Sequence, residues 1–200
     1  DNMVEFMNAH PEAGASGAKL LNPDGTNQPA FDDFPGLRDF IQPLWARLRP
    51  GRWDTVAPKK VSSVSGACML VRRKAAFTVG LLDTAFDPLY VEEREWCYRI
   101  RQQGWDIYHL PSARVIHFGG QTSKHTPEVM TQHVYTHRLL FCKKHYALPE
   151  TVLYRITLFI VSLPKAAGWG CKALLEPRKT RKGAIQRMHC HLVIARNAWS

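Results

Sequence analysis

Residues 92–118, EEREWCYRIRQQGWDIYHLPSARVIHF, carry the signals that set the fold class. The first part, Glu92–Gln103, is rich in strong helix formers and opens on acidic residues. Gly104 follows, where a helix stop favours glycine. The remainder changes period. Trp105–Leu110 and Arg114–Phe118 read as short strands divided by Pro111, which has no N–H to give to a ladder. A helix that feeds strands over so short a distance is the unit from which α/β layers are built.

Upstream, the alternation continues. Val4–His10 reads as the end of a helix stopped by Pro11, and Gly14–Leu21 as a strand before the turn Asn22-Pro23-Asp24-Gly25. Leu37, Phe40, Ile41, Leu44, Trp45 and Leu48 lie on one face of an amphipathic helix, with a kink or later start at Pro43 and an end at Pro50-Gly51. Val61–Val64 and Ala67–Val71 are strand-like and pivot at Ser65-Gly66. Lys74–Val79 is a helical turn, and the segment to Tyr90 is extended. Beyond Pro127 the pattern is helical. Met130, Val134, His137 and Phe141 share a face, and a second helix is expected from Pro149 to Leu163, ended by Pro164. The expectation is an α/β core over residues 1–126 and a helical extension over 127–200.

The 200 residues include 27 Lys+Arg and 17 Asp+Glu, for a net charge of +10. The excess is local: residues 138–200 hold 12 basic and 2 acidic residues, while residues 1–137 are neutral. A neutral body with a basic tail argues against nucleic acid tracking across the main domain and for a tail that docks on an anionic partner. The five cysteines are scattered without a CxxC pair, which excludes a zinc ribbon and a dense disulfide framework and fits a reducing compartment. No run of about 18 consecutive apolar residues occurs; Thr151–Gly170 is interrupted by Arg155, Pro164 and Lys165. The chain opens on Asp1-Asn2 with no leader pattern, directly before helix-like sequence, and is expected to be part of something longer.

Two features could carry chemistry. Glu92, Glu93 and Glu95 open a helix, where acids are favoured by the helix dipole, and Glu95 with Arg99 has the order of an i,i+4 ion pair. One of these carboxylates could equally serve as a general base at a cleft. Glu93 and Glu95 point in different directions, so this segment alone supplies no facing glycosidase pair. His117 ends a strand just before Gly119-Gly120, a position suited to a ligand site or to one ligand of a divalent metal. His133 and His137 share helical spacing, but Val134 stands where an HExxH motif has Glu.

Taken in order, the motifs resemble the later part of family 2 glycosyltransferases, above all the rhamnosyltransferase-like enzymes that build bacterial surface polysaccharides. The likeness runs over about residues 4–145. It begins with Pro11-x-x-Gly14-x-x-Gly17-Ala18-Lys19-Leu20, Asp24-Gly25-x-x-Gln28 and Phe34-Pro35. It continues through Val64-Ser65-Gly66-Ala67-Cys68-Met69-Leu70-Val71-Arg72-Arg73, Gly80-Leu81-Leu82-Asp83-x-x-Phe86 and Tyr90-Val91-Glu92-Glu93-Arg94-Glu95-Trp96-Cys97-Tyr98-Arg99. It closes with Gly104-Trp105, Pro111-x-Ala113-x-Val115-Ile116-His117 and Gly119-Gly120-x-x-Ser123.

The resemblance implies a Rossmann-like GT-A sheet, incomplete at its N-terminus, and inverting transfer of a sugar from a nucleotide-sugar to a glycan or lipid-linked hydroxyl. In the family motif Glu-Asp-x-Asp-Leu-Cys-x-Arg the second acid is the base, which here is Glu93. Glutamates replace both aspartates, and Trp96 replaces the leucine. It further implies a substrate-binding set of Ser65, Gly66, Ala67, Glu92, Glu95, Trp96, Arg99, Gly119 and Gly120, and His117 as a ligand of Mg²⁺ or Mn²⁺ on the donor diphosphate. The family's nucleotide-binding half and its Asp-x-Asp motif lie upstream of what matches here, so the chain alone is expected to turn over little.

The tail adds a membrane reading. Leu153, Ile156, Ile160 and Leu163 can share a helix face, and Lys172, Arg178, Lys179, Arg181 and Lys182 follow, as in an interfacial helix with a polybasic patch. The expected place is the cytoplasmic face of the plasma membrane. The rival readings are a non-catalytic acceptor-binding remnant, a basic nucleic-acid-binding protein and a histidine-based metal hydrolase.

Overall fold

The computed structural model describes residues 2–41, 51, 53–87, 90–119 and 126–199. Its contacts divide the chain into two units. One comprises Asp1–Phe34 with Leu44–Gln121, the other Pro35–Pro43 with Thr122–Ser200.

The first unit is α/β, as expected. Helix α1 (Asn2–Ala9) leads into β1 (Ala13–Leu21), and short strands follow at β2 (Phe31–Asp32), β3 (Lys59–Lys60), β4 (Ser63–Val64) and β5 (Met69–Val71). Helices α2 (Arg73–Val79) and α3 (Glu92–Gln102) precede the long strand β6 (Asp106–Ile116). The main sheet has the order β3-β6-β1-β5 and is mixed. β1 pairs with β6 in parallel and with β5 antiparallel, while β2 and β4 form a separate antiparallel pair.

β1 is central and almost wholly buried, which explains its small residues. A Cβ placed on Gly14 would stand 2.5 Å from Trp105 Cβ, and one on Gly17 would stand 2.5 Å from Val64 Cβ. These two positions exclude any side chain because neighbouring elements press onto the strand. Ala15, Leu20, Phe31, Val64, Cys97 and Ile100 belong to one buried core, so α3 packs against the same apolar centre as β1 and β4.

Three expectations are corrected. Trp105–Leu110 and Arg114–Phe118 are one strand, ending at Ile116; the register jumps from Ala18↔Leu110 to Lys19↔Arg114. Pro111 is passed by a bulge, which spares the ladder the donor that proline lacks. Ala67–Val71 is a strand only from Met69, because the Ser65 hydroxyl accepts from the Ala67 N–H at 3.3 Å and winds Gly66–Cys68 into a 3₁₀ turn. The helix expected to stop at Leu163 runs on, as the second unit shows. Of the amphipathic segment Leu37–Leu48, residues 38–41 are helical and 42–50 lie outside the described residues, as do Gly120 and the loop to residue 125.

The second unit contains α4 (Pro127–His145), α5 (Leu148–Leu175) and α6 (Arg178–Asn197). Leu139, Cys142, Tyr154, Leu158, Cys190 and Ile194 form its core. Tyr146 donates its hydroxyl to the Pro35 carbonyl at 2.7 Å, and Thr151 donates to the Cys142 carbonyl at 3.0 Å. α5 continues through Pro164 to Leu175. The proline removes the bond to the Ile160 carbonyl, but both residues are exposed, so water can take that carbonyl while Ser162 and Ala166 stay packed. By length and composition, α5 is long and apolar enough to cross a membrane. All five cysteines are free.

Candidate active site

A cleft of about 100 Å³, partly open to solvent, lies in the first unit. Asp32 of β2, Ser63 and Val64 of β4, Ser65, and Glu93 and Arg94 of α3 line it. Glu93 therefore occupies a cleft beside the Ser65-Gly66 turn, two of the regions singled out from sequence. A Cβ on Gly66 would stand 3.6 Å from Glu93 Cβ, so the turn rests against the stem of that side chain.

The surroundings set the charge state of Glu93. Burial pushes its carboxyl above the usual range, Glu92 adds to the rise, and Arg94 opposes it. No described side chain donates a hydrogen bond to it. Glu92 is raised as well, first by burial and then by Asp87, and its Oε2 is buried without a partner. Two neighbouring carboxyls are thus both disposed to hold a proton.

The backbone that delivers them is unusual. Tyr90 and Val91 have φ of 76° and 81°, a left-handed pair in which Val91 is β-branched. Such a conformation costs about 1–3 kcal/mol per residue and persists only when its surroundings fix it. Here the Val91 side chain is buried and its carbonyl accepts from the Glu95 N–H at 2.8 Å, beginning α3. The sharp entry puts Glu92 and Glu93 on the first turn.

Glu95, Trp96 and Arg99 are not among the residues lining the cleft. Glu95 is 1% exposed and receives Arg99 Nε at 2.8 and 2.9 Å on its two oxygens. The i,i+4 pair read from the sequence is therefore present. Arg99 also donates to the carbonyls of Val79 and Leu81, and Trp96 Nε1 donates to the Gly80 carbonyl at 2.8 Å. Together they fasten the loop after α2 to α3.

His117 lies just past the end of β6. Gln28 Nε2 donates to Asn22 Oδ1 and to the His117 carbonyl, both at 2.6 Å, which leaves Gln28 Oε1 facing His117 Nδ1 at 3.0 Å. This orientation of Gln28 suits the tautomer with the proton on Nδ1, in which Nε2 has a lone pair for a ligand. The Gly119 N–H donates to the His117 carbonyl at 2.9 Å. Among the described residues, no group of three His, Cys, Asp or Glu side chains converges as a metal site. His117 suits a single ligand position, which the described residues do not complete by themselves.

The motif reading gives no role to Asp32 or Arg94. Arg94 Nη2 donates to Asp32 Oδ2 at 2.6 Å, while Arg94 Nη1 is buried without a hydrogen-bond partner. The only sequence signal was an arginine set between two glutamates; its partner lies 62 residues away.

No family model matches the chain. Two curated proteins of Mycobacterium tuberculosis are similar to it, one from strain CDC 1551 / Oshkosh and one from strain ATCC 25618 / H37Rv. Each is an N-acetylglucosaminyl-diphospho-decaprenol L-rhamnosyltransferase, 29% identical over 140 residues. The match covers 64% of this chain and 44% of each relative, so the chain spans less than half of their length.

Proposed function

We propose that this chain carries the base-bearing, acceptor-side part of an inverting glycosyltransferase of GT-A type in family 2. The observation that supports it is a carboxyl, Glu93, raised by burial at the mouth of a helix and set in a cleft. In the reaction, an acceptor hydroxyl attacks the anomeric carbon of a nucleotide-sugar from the face opposite the leaving group. Glu93 takes the hydroxyl proton as the new C–O bond forms. The bond from the sugar to the nucleotide breaks, and its electron pair stays on the departing phosphate, which inverts the anomeric configuration. A raised pKa makes Glu93 a stronger base than a solvated carboxylate, closer to the pH at which it works.

The other cleft residues position the acceptor. Ser65 lines the cleft beside Glu93, Gly66 backs the stem of that side chain, and the unused Nη1 of Arg94 would meet an acceptor oxygen. By the likeness, the donor sugar is rhamnose and the acceptor a lipid-linked N-acetylglucosaminyl diphosphate. A lipid-linked acceptor supports a position at the periphery of the membrane, on the cytoplasmic face in this proposal. A Mg²⁺ or Mn²⁺ ion on the donor diphosphate would offset leaving-group charge and would find in His117 Nε2 one ligand; no step here depends on it.

The test is sugar transfer by the full-length gene product to an N-acetylglucosaminyl-diphosphoryl-polyprenol analogue. Glu93→Gln is expected to lower kcat by about 10²–10⁴-fold, the range for losing a general base, with acceptor binding kept. Turnover within threefold of the parent would overturn the assignment.

A further inference from the structure

α5 presents two contrasting sides. Thr151, Tyr154, Leu158, Ser162, Ala166 and Ala173 are buried within the second unit. Leu148, Val152, Ile156, Ile160, Leu163 and Leu174 are 75%, 37%, 38%, 61%, 40% and 80% exposed. The first five recur at spacings of four or three, and Leu174 follows eleven residues on, about three turns later. At about 100° per residue they fall on one arc of the helix, and no charged residue of α5 falls on it. An uncharged stripe that follows a helix for most of its 28 residues is not the scatter of single apolar side chains found on ordinary surfaces.

Charge identifies what covers it. Residues 138–200 carry 12 basic and 2 acidic residues. α6, which shares a core with α5 through Leu158, Cys190 and Ile194, bears Arg178, Lys179, Arg181, Lys182, Arg187 and Arg196, all exposed, and no acid. A second copy of so basic a unit would be repelled. A nucleic acid would satisfy the charges but leave the stripe in water. An anionic lipid surface satisfies both, because acyl chains take the stripe and headgroups take the basic side chains.

Length alone would also let α5 span a bilayer, but its packing opposes that. The buried side of α5 lies against α6, so insertion across the bilayer would draw that row of charges into hydrocarbon. We infer that α5 docks lengthwise on anionic phospholipid by the stripe from Leu148 to Leu174, with α6 as its charged counterpart. This rests on the membrane-peripheral location proposed above and names the face responsible.

The test is co-sedimentation of the full chain with phosphatidylglycerol–phosphatidylcholine vesicles, with folding checked by circular dichroism. Ile156→Glu combined with Ile160→Glu should lower partitioning by at least about tenfold, and Ile160→Trp should raise it, since tryptophan favours the interface. Pure phosphatidylcholine vesicles should bind the parent chain more weakly. If the parent chain ignores anionic vesicles, the location itself fails. If it binds and the stripe variants partition as it does, the location stands and the docking face is wrong. Resistance to alkaline carbonate extraction would show spanning, and loss of a dimer in the Glu variant with unchanged vesicle binding would show a self-interface; either overturns the inference. Equal, salt-sensitive binding to duplex DNA that the Glu variant retains would do so as well.

Discussion

Arg94 Nη2 meets Asp32 Oδ2 at 2.6 Å and thereby fixes a cation beside Glu93. The pair joins the first turn of α3 to the short β2–β4 sheet, the two walls of the cleft. Arg94 lowers the pKa of Glu93 while burial and Glu92 raise it, so the working pH of the base proposed above depends on this cation. Removing the charge with Arg94→Met should raise the Glu93 pKa further. The base must be deprotonated, so the acid limb of the kcat/KM profile should move to higher pH. An unmoved limb would separate Arg94 from the electrostatics of the base.

Glu93 also carries a stability cost. Its pKa is above the ordinary 4.5 when folded, so its favourable contribution is present below pH 4.5 and lost as pH rises through the folded value. At neutral pH the folded chain holds a carboxylate that burial disfavours. Glu93→Gln should therefore raise the melting temperature at pH 7, by about 2–4 °C if the relief is about 1 kcal/mol. The difference should shrink as pH approaches 4.5. A variant that is less stable than the parent at pH 7 would show that the carboxylate is held by contacts stronger than its burial cost.

His109 acts in the opposite direction. It is fully buried, its ring centroid lies 4.9 Å from that of Phe31 at a tilt of 46°, and neither ring nitrogen has a partner among the described residues. Burial, then Lys19 and Lys59, push its pKa from 6.5 down to about 4. The folded chain keeps the ring neutral while the unfolded chain takes up a proton below pH 6.5, so stability is lost between pH 6.5 and about 4. The loss is on the order of 3 kcal/mol at most. His109→Leu should flatten that part of the urea-unfolding profile. A slope unchanged by the substitution would assign the acid sensitivity elsewhere.

What the sequence discloses follows the range of each interaction. α3, its stop at Gly104 and the Glu95–Arg99 pair depend on residues within one or two turns, and all are legible. The grip of Arg99 on the Val79 and Leu81 carbonyls is not, because it needs the tertiary approach of the loop after α2. Pro111 and Pro164 mislead for a shared reason: a proline ends an element only when its lost donor has no substitute. A bulge supplies that in β6, and solvent does so on the open side of α5. Glu93 is conspicuous as part of a motif, whereas Asp32 becomes visible only once β2 is laid beside β4. The apolar face at Leu153, Ile156, Ile160 and Leu163 is readable by period and is exposed in the structure, but its length becomes clear only when α5 is seen to pass Pro164.

The same close packing that makes β1 poor in side chains gives a sharp test of how the cleft is supported. Val64 lines the cleft and also lies where a side chain on Gly17 would go, 2.5 Å from a Cβ placed there. Val64 is buried in the common core with Ala15 and Cys97, so it has little room to retreat. Gly17→Ala must therefore displace β4, which carries Ser63 and leads into the Ser65-Gly66 turn against Glu93. Overpacking of this kind costs about 1–3 kcal/mol. The expected outcome is a lower urea midpoint together with weakened binding of the proposed acceptor, since the displaced strand is a wall of the cleft. The double variant Gly17→Ala with Val64→Gly, which removes the Val64 Cβ as well as both γ-methyl groups, should be more stable than the sum of the two single losses. A double variant no more stable than the sum of the two single losses would show that the clash at Val64 is not what excludes a side chain at position 17.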